Sequence, residues 1–232
     1  MLGTPWDYQD RAAEFLTRLN ELDGRGIIVC NAPQMVRWNI DKRYLKQLAE
    51  ADAAIVPTLW HDNPDREVVL GAMEHFECER VVVKRQIGAG ALGQHSFTHA
   101  VPPDADWCMG RAAMIQPFLP AIVEDGEYSF IFIDGAFSHG VRKRPATGDY
   151  RIQSLFGGRE EAFMPSPTDL AQAQDVLASM PATDLLYARI DMVRLSDERL
   201  AVMEAELVEP YLYPEQGPEF GERIARAILR RL

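Results

Sequence analysis

The dipeptide Asp134-Gly135 stands between two long apolar-rich runs, Tyr128–Ile133 and Ala136–Lys143. Asp-Gly accepts the positive φ that both central positions of a type I′ turn require, and the twist of that turn matches two antiparallel strands. The segment therefore commits to a β-hairpin, and a hairpin alone is marginal in water, so a sheet must be built around it. A second hairpin is expected from Tyr187–Val193 and Leu200–Leu207 around the polar turn Ser196–Arg199. Elsewhere the apolar period changes to that of helices. One is expected over about Gln9–Glu21, with Phe15, Leu16, Leu19 and Leu22 as its stripe and Gly24 as its stop. Others are expected over about Lys42–Glu50, capped by Asn39 or Asp41, and over about Arg66–Phe76, with Val69, Met73 and Phe76 inward. Ser166-Pro167 opens a further helix to about Ala178, and Phe220, Ile224, Ile228 and Leu232 recur four apart in a terminal one from about Glu219. Short strands are expected at Ile27–Cys30, Ala53–Val56, Val81–Lys84 and Ala112–Gln116. Mixed helices and strands followed by antiparallel hairpins give an α+β class, in two lobes divided near Gln116-Pro117-Phe118.

The chain has 232 residues, 47% of them apolar, which is enough to build a sizeable core and argues against disorder. Its net charge of −11 disfavours nucleic acid as a partner, because such a surface repels a phosphate backbone. Small phosphorylated ligands respond to local charge and stay open. Cys30, Cys78 and Cys108 have no metal-ligand spacing, and an odd count does not make a disulfide framework. A reducing cytoplasm is the expected compartment. No apolar run reaches the ~20 residues of a membrane span, and the first ten residues, MLGTPWDYQD, do not have the pattern of a signal peptide.

Two groups of residues carry chemistry. The first lies on the second hairpin. Strand side chains alternate faces, so Arg189 and Asp191 share one face, and Glu204 and Glu206 share one face. In a hairpin the three carboxylates converge. Opposed like charges destabilise a sheet, so a cation is expected among them, and an oxygen-only donor set suits Mg²⁺. A solvated face with incidental charge is the alternative, and Glu209, Asp197 and Glu198 are read that way. The second group is Lys84 at the end of an apolar strand, followed by the loop Gly88-Ala-Gly90-Ala-Leu-Gly93. Glycines let backbone N–H groups approach phosphate oxygens, and a lysine adds a point charge. Lys42 is a second phosphate candidate. The loop also spells the dinucleotide-binding fingerprint, but no helix is expected to open at its last glycine, and Pro102-Pro103 follows soon after. Among the histidines, only His139, on the first hairpin, is placed to face a site.

In order along nearly the whole chain, these pieces resemble the ATP-grasp superfamily. Val81–Lys84 with the glycine loop resembles the strand and loop that cover the triphosphate. Gln116-Pro117-Phe118-Leu119 resembles the hinge whose backbone reads adenine, and Glu127–Gly135 resembles the strand and turn after it. Lys143 and Gly148-Asp-Tyr-Arg151 resemble basic positions near the transferred phosphate. Arg189-Ile-Asp191 with Glu204-Ala-Glu206 resembles the terminal metal motif, with Glu206 where an asparagine is common. Trp6-Asp-Tyr8, Val36–Asn39, Lys42–Leu45, Val56-Pro-Thr58 and Gly148–Gln153 resemble the glutathione-synthetase-like branch, including cyclo-ligases of cycloserine biosynthesis. Members usually carry an N-terminal α/β domain ahead of the Trp-Asp-Tyr segment, and this chain starts almost at that segment.

The resemblance implies an ATP-grasp fold, two α+β lobes holding ATP between antiparallel sheets. It divides the chain into 1–38, a remnant of the N-terminal region and linker; 39–115, the small lobe with its leading helices; and 116–232, the C-terminal lobe. It implies an ATP- and Mg²⁺-dependent carboxylate–amine or cyclo-ligase, with Mn²⁺ as an alternative ion, acting through an acyl phosphate on a small amino-acid-like substrate. Lys42, Lys84, Gly88, Gly90, Gly93, Gln116, Pro117, Phe118 and Glu127 would bind nucleotide. Asp191, Glu204 and Glu206 would bind metal, and Lys143, Arg151 and Arg189 would serve the transferred group. A homodimer is compatible with this reading, and a membrane or nucleic-acid partner is not expected. The alternative is a nucleotide-binding module without ligase activity of its own.

Overall fold

The computed structural model describes all residues except 3, 4, 6, 147–156, 182 and 183. Arg151, the Gly148–Gln153 motif and Trp6 therefore lie outside the described residues. The chain divides into two compact units, Met1–Ile55 with Ala121–Leu232, and Val56–Pro120.

The larger unit is built on a five-stranded antiparallel sheet. Its strands are β5 (Glu127–Ile133), β6 (Ala136–Arg144), β7 (Arg159–Phe163), β8 (Tyr187–Arg194) and β9 (Leu200–Glu206), in the order β7-β6-β5-β8-β9. Both expected hairpins form. Asp134 and Gly135 have φ of 53° and 75°, as a type I′ turn demands. Phe130, Phe132, Ile190 and Met192 are buried along the middle strands. A second cluster, Ile131, Ile133, Val141, Tyr187, Leu212 and Tyr213, is covered by α7 (Phe220–Leu229) through Ala227, Phe220 and Ile224. Arg230 and Arg231 tie the end of that helix to Asp134 at the hairpin turn, at 2.9 and 2.7 Å.

One edge of this sheet, β9, carries two of the expected site residues, and side chains cover its outer backbone. Asn39 closes α2 (Pro33–Asn39); its amide donates to the Ala205 carbonyl at 2.7 Å and accepts from the Leu207 N–H at 2.9 Å. Tyr44, at the start of α3 (Tyr44–Glu50), accepts from the Ala205 N–H at 2.8 Å. Asn31 donates to the carbonyls of Tyr187 and Leu207. Farther along, the Val202 N–H donates to the Ala54 carbonyl at 2.8 Å. An open edge would be a row of unpaired donors and acceptors, and here amides and a phenol take the place of a sixth strand.

This cover accounts for several departures from expectation. Ala53–Val56 makes an isolated bridge, Ile55 to Val202, rather than a strand. Asn39 bonds to β9 instead of capping a helix, and α3 begins two residues later than expected, with Asp41 accepting from the Arg43 N–H. Residues 39–55 belong to the larger unit, and the boundary near Gln116-Pro117-Phe118 falls at Pro120. Ile27–Cys30 forms no strand with the described residues, and Ile27 and Ile28 are exposed. The first helix, α1, runs over Ala12–Gly24.

The smaller unit is a four-stranded antiparallel sheet in the order β1-β4-β2-β3: β1 (Leu59–His61), β2 (Arg80–Arg85), β3 (His95–Thr98) and β4 (Ala113–Pro117). Its core packs Val81, Val83, Ala113 and Ile115 against Val69, Ala72 and Met73 of α4 (Arg66–His75). Asp65 caps α4 by accepting from the Val68 N–H. The larger unit also carries α5 (Ala121–Glu124) and α6 (Pro167–Ala178), the latter capped by Ser166. No helix among the described residues is long and apolar enough to cross a membrane.

Asn39→Ala should orphan two buried backbone groups of β9, each worth about 1–3 kcal/mol, for a loss of about 3 kcal/mol in all. Urea unfolding should show a lower midpoint at unchanged slope. A loss under about 1 kcal/mol would contradict the edge-cover account.

Candidate active site

The register of β8 and β9 fixes the charged face of the larger unit. Arg189 lies opposite Glu206, and Asp191 lies opposite Glu204. A bulge follows immediately, since Met192 pairs with Val202. On the other side of β8, Ser129 of β5 faces Asp191, and Glu127 faces Lys143 of β6. Alternation thus brings Glu127, Ser129, Lys143, Arg189, Asp191, Glu204 and Glu206 to one face of four adjacent strands.

The side chains pair by charge. Lys42 reaches Glu204 at 2.7 Å. The guanidinium of Arg189 holds Asp191 through Nε and Nη2 at 2.9–3.1 Å, and also pairs with Glu206. Its remaining arm donates to the Tyr211 carbonyl at 3.0 Å. Lys143 pairs with Glu127 and lies 3.2 Å from Asp191. The Ser129 hydroxyl donates to Asp191. The Tyr213 ring lies under both Lys143 and Arg189, at 5.9 and 5.7 Å. Three cations therefore serve four carboxylates.

These contacts shape the titration of the group. Burial alone would raise Asp191, but Arg189, Lys143 and the Ser129 hydrogen bond win and hold it at about 2. Burial raises Glu127, with Asp191 adding to the effect and Lys143 opposing it. Burial also raises Glu206 against the pull of Arg189, and Glu204 and Asp191 push it further. Lys143 stays protonated above its ordinary range, because Asp191 and Glu127 outweigh its burial.

Among the described residues, no group of three or more His, Cys, Asp or Glu side chains is gathered as a ready metal cage. The three expected metal ligands do share a face, but each is engaged by a basic side chain. Asp191 is 4% exposed and fully occupied, whereas Glu204 and Glu206 keep 32% and 28% of their side-chain exposure and have oxygens within reach of solvent. Two partly exposed carboxylates on one face fit Mg²⁺, which keeps several waters and takes few protein ligands.

In the smaller unit, the Lys84 ammonium donates to Gln116 Oε1 at 2.9 Å, and Gln116 Nε2 donates to the Thr58 hydroxyl at 2.9 Å. Gln116 is buried, so it orients the lysine from within the sheet. Pro117 ends β4 opposite Val81. The Phe118 N–H donates to the Arg80 carbonyl, and the Arg80 guanidinium covers its ring at 4.1 Å. The Gly88–Gly93 loop links β2 to β3, with positive φ at Gly90 and Gly93.

Ser129 was legible, since two-residue alternation from Glu127 puts it on the charged face. Thr58 and Tyr213 lie in irregular segments and gave no such signal. His139 faces the apolar cluster rather than the acids: it contacts the Leu212 carbonyl, and burial lowers its pKa.

The two antiparallel sheets with their helices are the fold found in solved ATP-grasp ligases. No family model matches the chain. It is homologous to the cycloserine biosynthesis protein DcsG of Streptomyces lavendulae, at 26% identity over 250 aligned residues, covering 99% of this chain and 81% of that protein. The crystal structure of D-cycloserine synthetase DcsG matches with a TM-score of 0.84 at 24% identity, over 99% of this chain and 82% of that one. Glutathione synthetase of Prochlorococcus marinus is 28% identical over 195 residues, 79% of this chain but only 59% of the relative's length. The fold also matches the ATP-grasp ligase PsnB complexed with a precursor variant, Mg and ADP, at a TM-score of 0.66 and 18% identity, covering 95% of this chain and 67% of that chain.

Asp191 yields a pH prediction. Its folded value lies below its unfolded value of about 4, so its contribution to stability is complete above pH 4 and is lost as the pH falls through about 2. Urea midpoints should drop between pH 4 and 2, and Asp191→Asn should flatten that drop. An unaltered acid profile in the variant would contradict the assignment.

Proposed function

We propose that the chain is a Mg²⁺- and ATP-dependent ligase that activates the carboxylate of a small amino-acid-like substrate as an acyl phosphate, which an amine then displaces. The observation that carries this reading is the β8–β9 register, which sets Glu204 and Glu206 beside Asp191 on one face with basic side chains already bound to each. Two relatives, a cycloserine biosynthesis protein and a glutathione synthetase, support a small-molecule product.

In this reading Glu204 and Glu206 are the oxygen donors for Mg²⁺, and Asp191, expected as a third ligand, is instead occupied by Arg189, Lys143 and Ser129 and orders the face beside them. Bound there, the ion would neutralise phosphate charge during transfer. Lys42 holds Glu204 in place beforehand and, once exchanged from it, is positioned to pair with a phosphate oxygen. Arg189 keeps Asp191 ionised despite burial and aligns Glu206. Lys143, held protonated between Glu127 and Asp191, supplies fixed positive charge for the transferred group, as does Arg151 on sequence grounds. In the smaller unit, Lys84 is aimed by Gln116 and serves the triphosphate, with the glycine loop supplying backbone N–H groups. Pro117 and Phe118 mark the adenine-reading hinge. The Phe118 N–H is engaged by Arg80, so adenine contact there falls to carbonyls. Glu127 acts through Lys143 rather than on nucleotide directly.

Two measurements test the reading. ADP release, assayed against panels of amino acids, should be stimulated by specific acceptors, and Glu204→Ala should abolish it while the circular-dichroism spectrum stays native. Nucleotide binding without any turnover would favour the module reading instead, and normal turnover in the variant would remove the metal assignment. Lys84→Ala should weaken ATP binding by roughly tenfold to a hundredfold, the worth of one charged hydrogen bond. Unchanged titration calorimetry would remove Lys84 from the site.

A further inference from the structure

The three glycines between β2 and β3 have different surroundings. A Cβ at Gly90 would meet nothing within 4 Å. A Cβ at Gly88 would lie 2.9 Å from the Cβ of Arg85, with Cδ and Cγ at 3.5 and 3.7 Å. A Cβ at Gly93 would overlap Nε of Arg85 and stand 3.1 Å from both Cζ and Nη2. The arginine stem thus runs along the first glycine of the loop, and its guanidinium lies on the last. Gly88 is not among the residues of positive φ, so its missing side chain is not explained by backbone conformation. Arg85 is the neighbour that a side chain there would strike.

Two further observations place the same side chain. Strand alternation puts Arg85 on the opposite face of β2 from Lys84, away from the Gln116 network. His95, the first residue of β3, titrates below its ordinary range through burial and the positive charge of Arg85. The guanidinium therefore spans from the end of β2 to the start of β3, across the neck of the loop.

We propose that Arg85 is a positioning residue that pins both ends of the glycine loop, so that only its tip, Ala89–Leu92, adjusts over a bound phosphate; the phosphate part of this rests on the ligase reading above. The tip has the properties this requires. Gly90 and Leu92 are exposed, Gly90 and Ala91 have φ of 61° and 59°, and backbone bonds run from the Leu92 N–H to Ala89 and from the Gln94 N–H to Ala91. A short mobile tip on a fixed neck loses less conformational entropy on closing than a loop loose from end to end. A planar guanidinium lies flat against glycine backbone in a way an ammonium does not, so lysine should replace Arg85 only in part.

Hydrogen–deuterium exchange of the full chain without nucleotide tests the pinning. In Arg85→Ala, amides of residues 86–94 should exchange about tenfold faster, while those of β2 and β4 keep their protection. Arg85→Lys should fall between the two. The affinity for Mg-ATP should drop about fivefold in Arg85→Ala, with a smaller change in turnover at saturating ATP, because the cost falls on ordering the loop. Wild-type exchange in the loop of Arg85→Ala would overturn the proposal, and so would loss of protection in β2 and β4 together with the loop. If the wild-type chain bound no Mg-ATP, the ligase reading would fail, and the exchange comparison would still decide the pinning.

Discussion

The buried guanidinium of Arg189 is the contact on which the charged face of the larger unit depends. It binds Asp191 with two nitrogens, Glu206 across the strand pair and the Tyr211 carbonyl beyond the sheet. A buried carboxylate without a partner costs several kcal/mol or takes up a proton, and an acid that is protonated is a poor metal ligand. Arg189 thereby keeps Asp191 ionised where burial would otherwise protonate it. It also fixes the segment at Tyr211 and, with Lys143, rests against the Tyr213 ring. One fork-shaped cation thus sets ionisation, strand pairing and the wall of the site together.

The position of the acids on β9 depends in turn on its covered edge. Glu204 and Glu206 flank Ala205, whose N–H and carbonyl are taken by Tyr44 and Asn39. The same helical region places Lys42 against Glu204. The segment that seals the edge therefore also supplies the cation for one of the acids. The smaller unit follows a related logic on its own sheet, where a buried amide, Gln116, aims Lys84. Two neighbouring residues of β2 divide the work there, Lys84 on one face and Arg85 across the neck of the loop on the other.

Much of this was legible where a period existed. The Asp134-Gly135 turn, both hairpins, the common face of Arg189, Asp191, Glu204 and Glu206, and the inward row of α4 follow from alternation, turn chemistry and helical spacing. The parts that were not legible are those in which a side chain does the work of backbone. Asn39 has the look of a helix cap, and nothing local shows that it bonds β9. Ala53–Val56 has the apolar content of a strand, but beside β9 there is room for one bridge. The pairings Lys42–Glu204 and Lys143–Glu127 join residues that sequence reading gave separately to ligands. Long-range complementarity of charge leaves no periodic trace.

The central claim is that Glu204 and Glu206, held by Lys42 and Arg189, become ligands of a nucleotide-bound divalent ion. Electron paramagnetic resonance of Mn²⁺ with the full chain and a non-hydrolysable ATP analogue tests it most directly. The account predicts a protein-bound manganese signal that requires the nucleotide and disappears in Glu204→Gln, a variant that keeps the shape of the side chain and removes its charge. The same bound signal in Glu204→Gln and in Glu206→Gln would contradict the account.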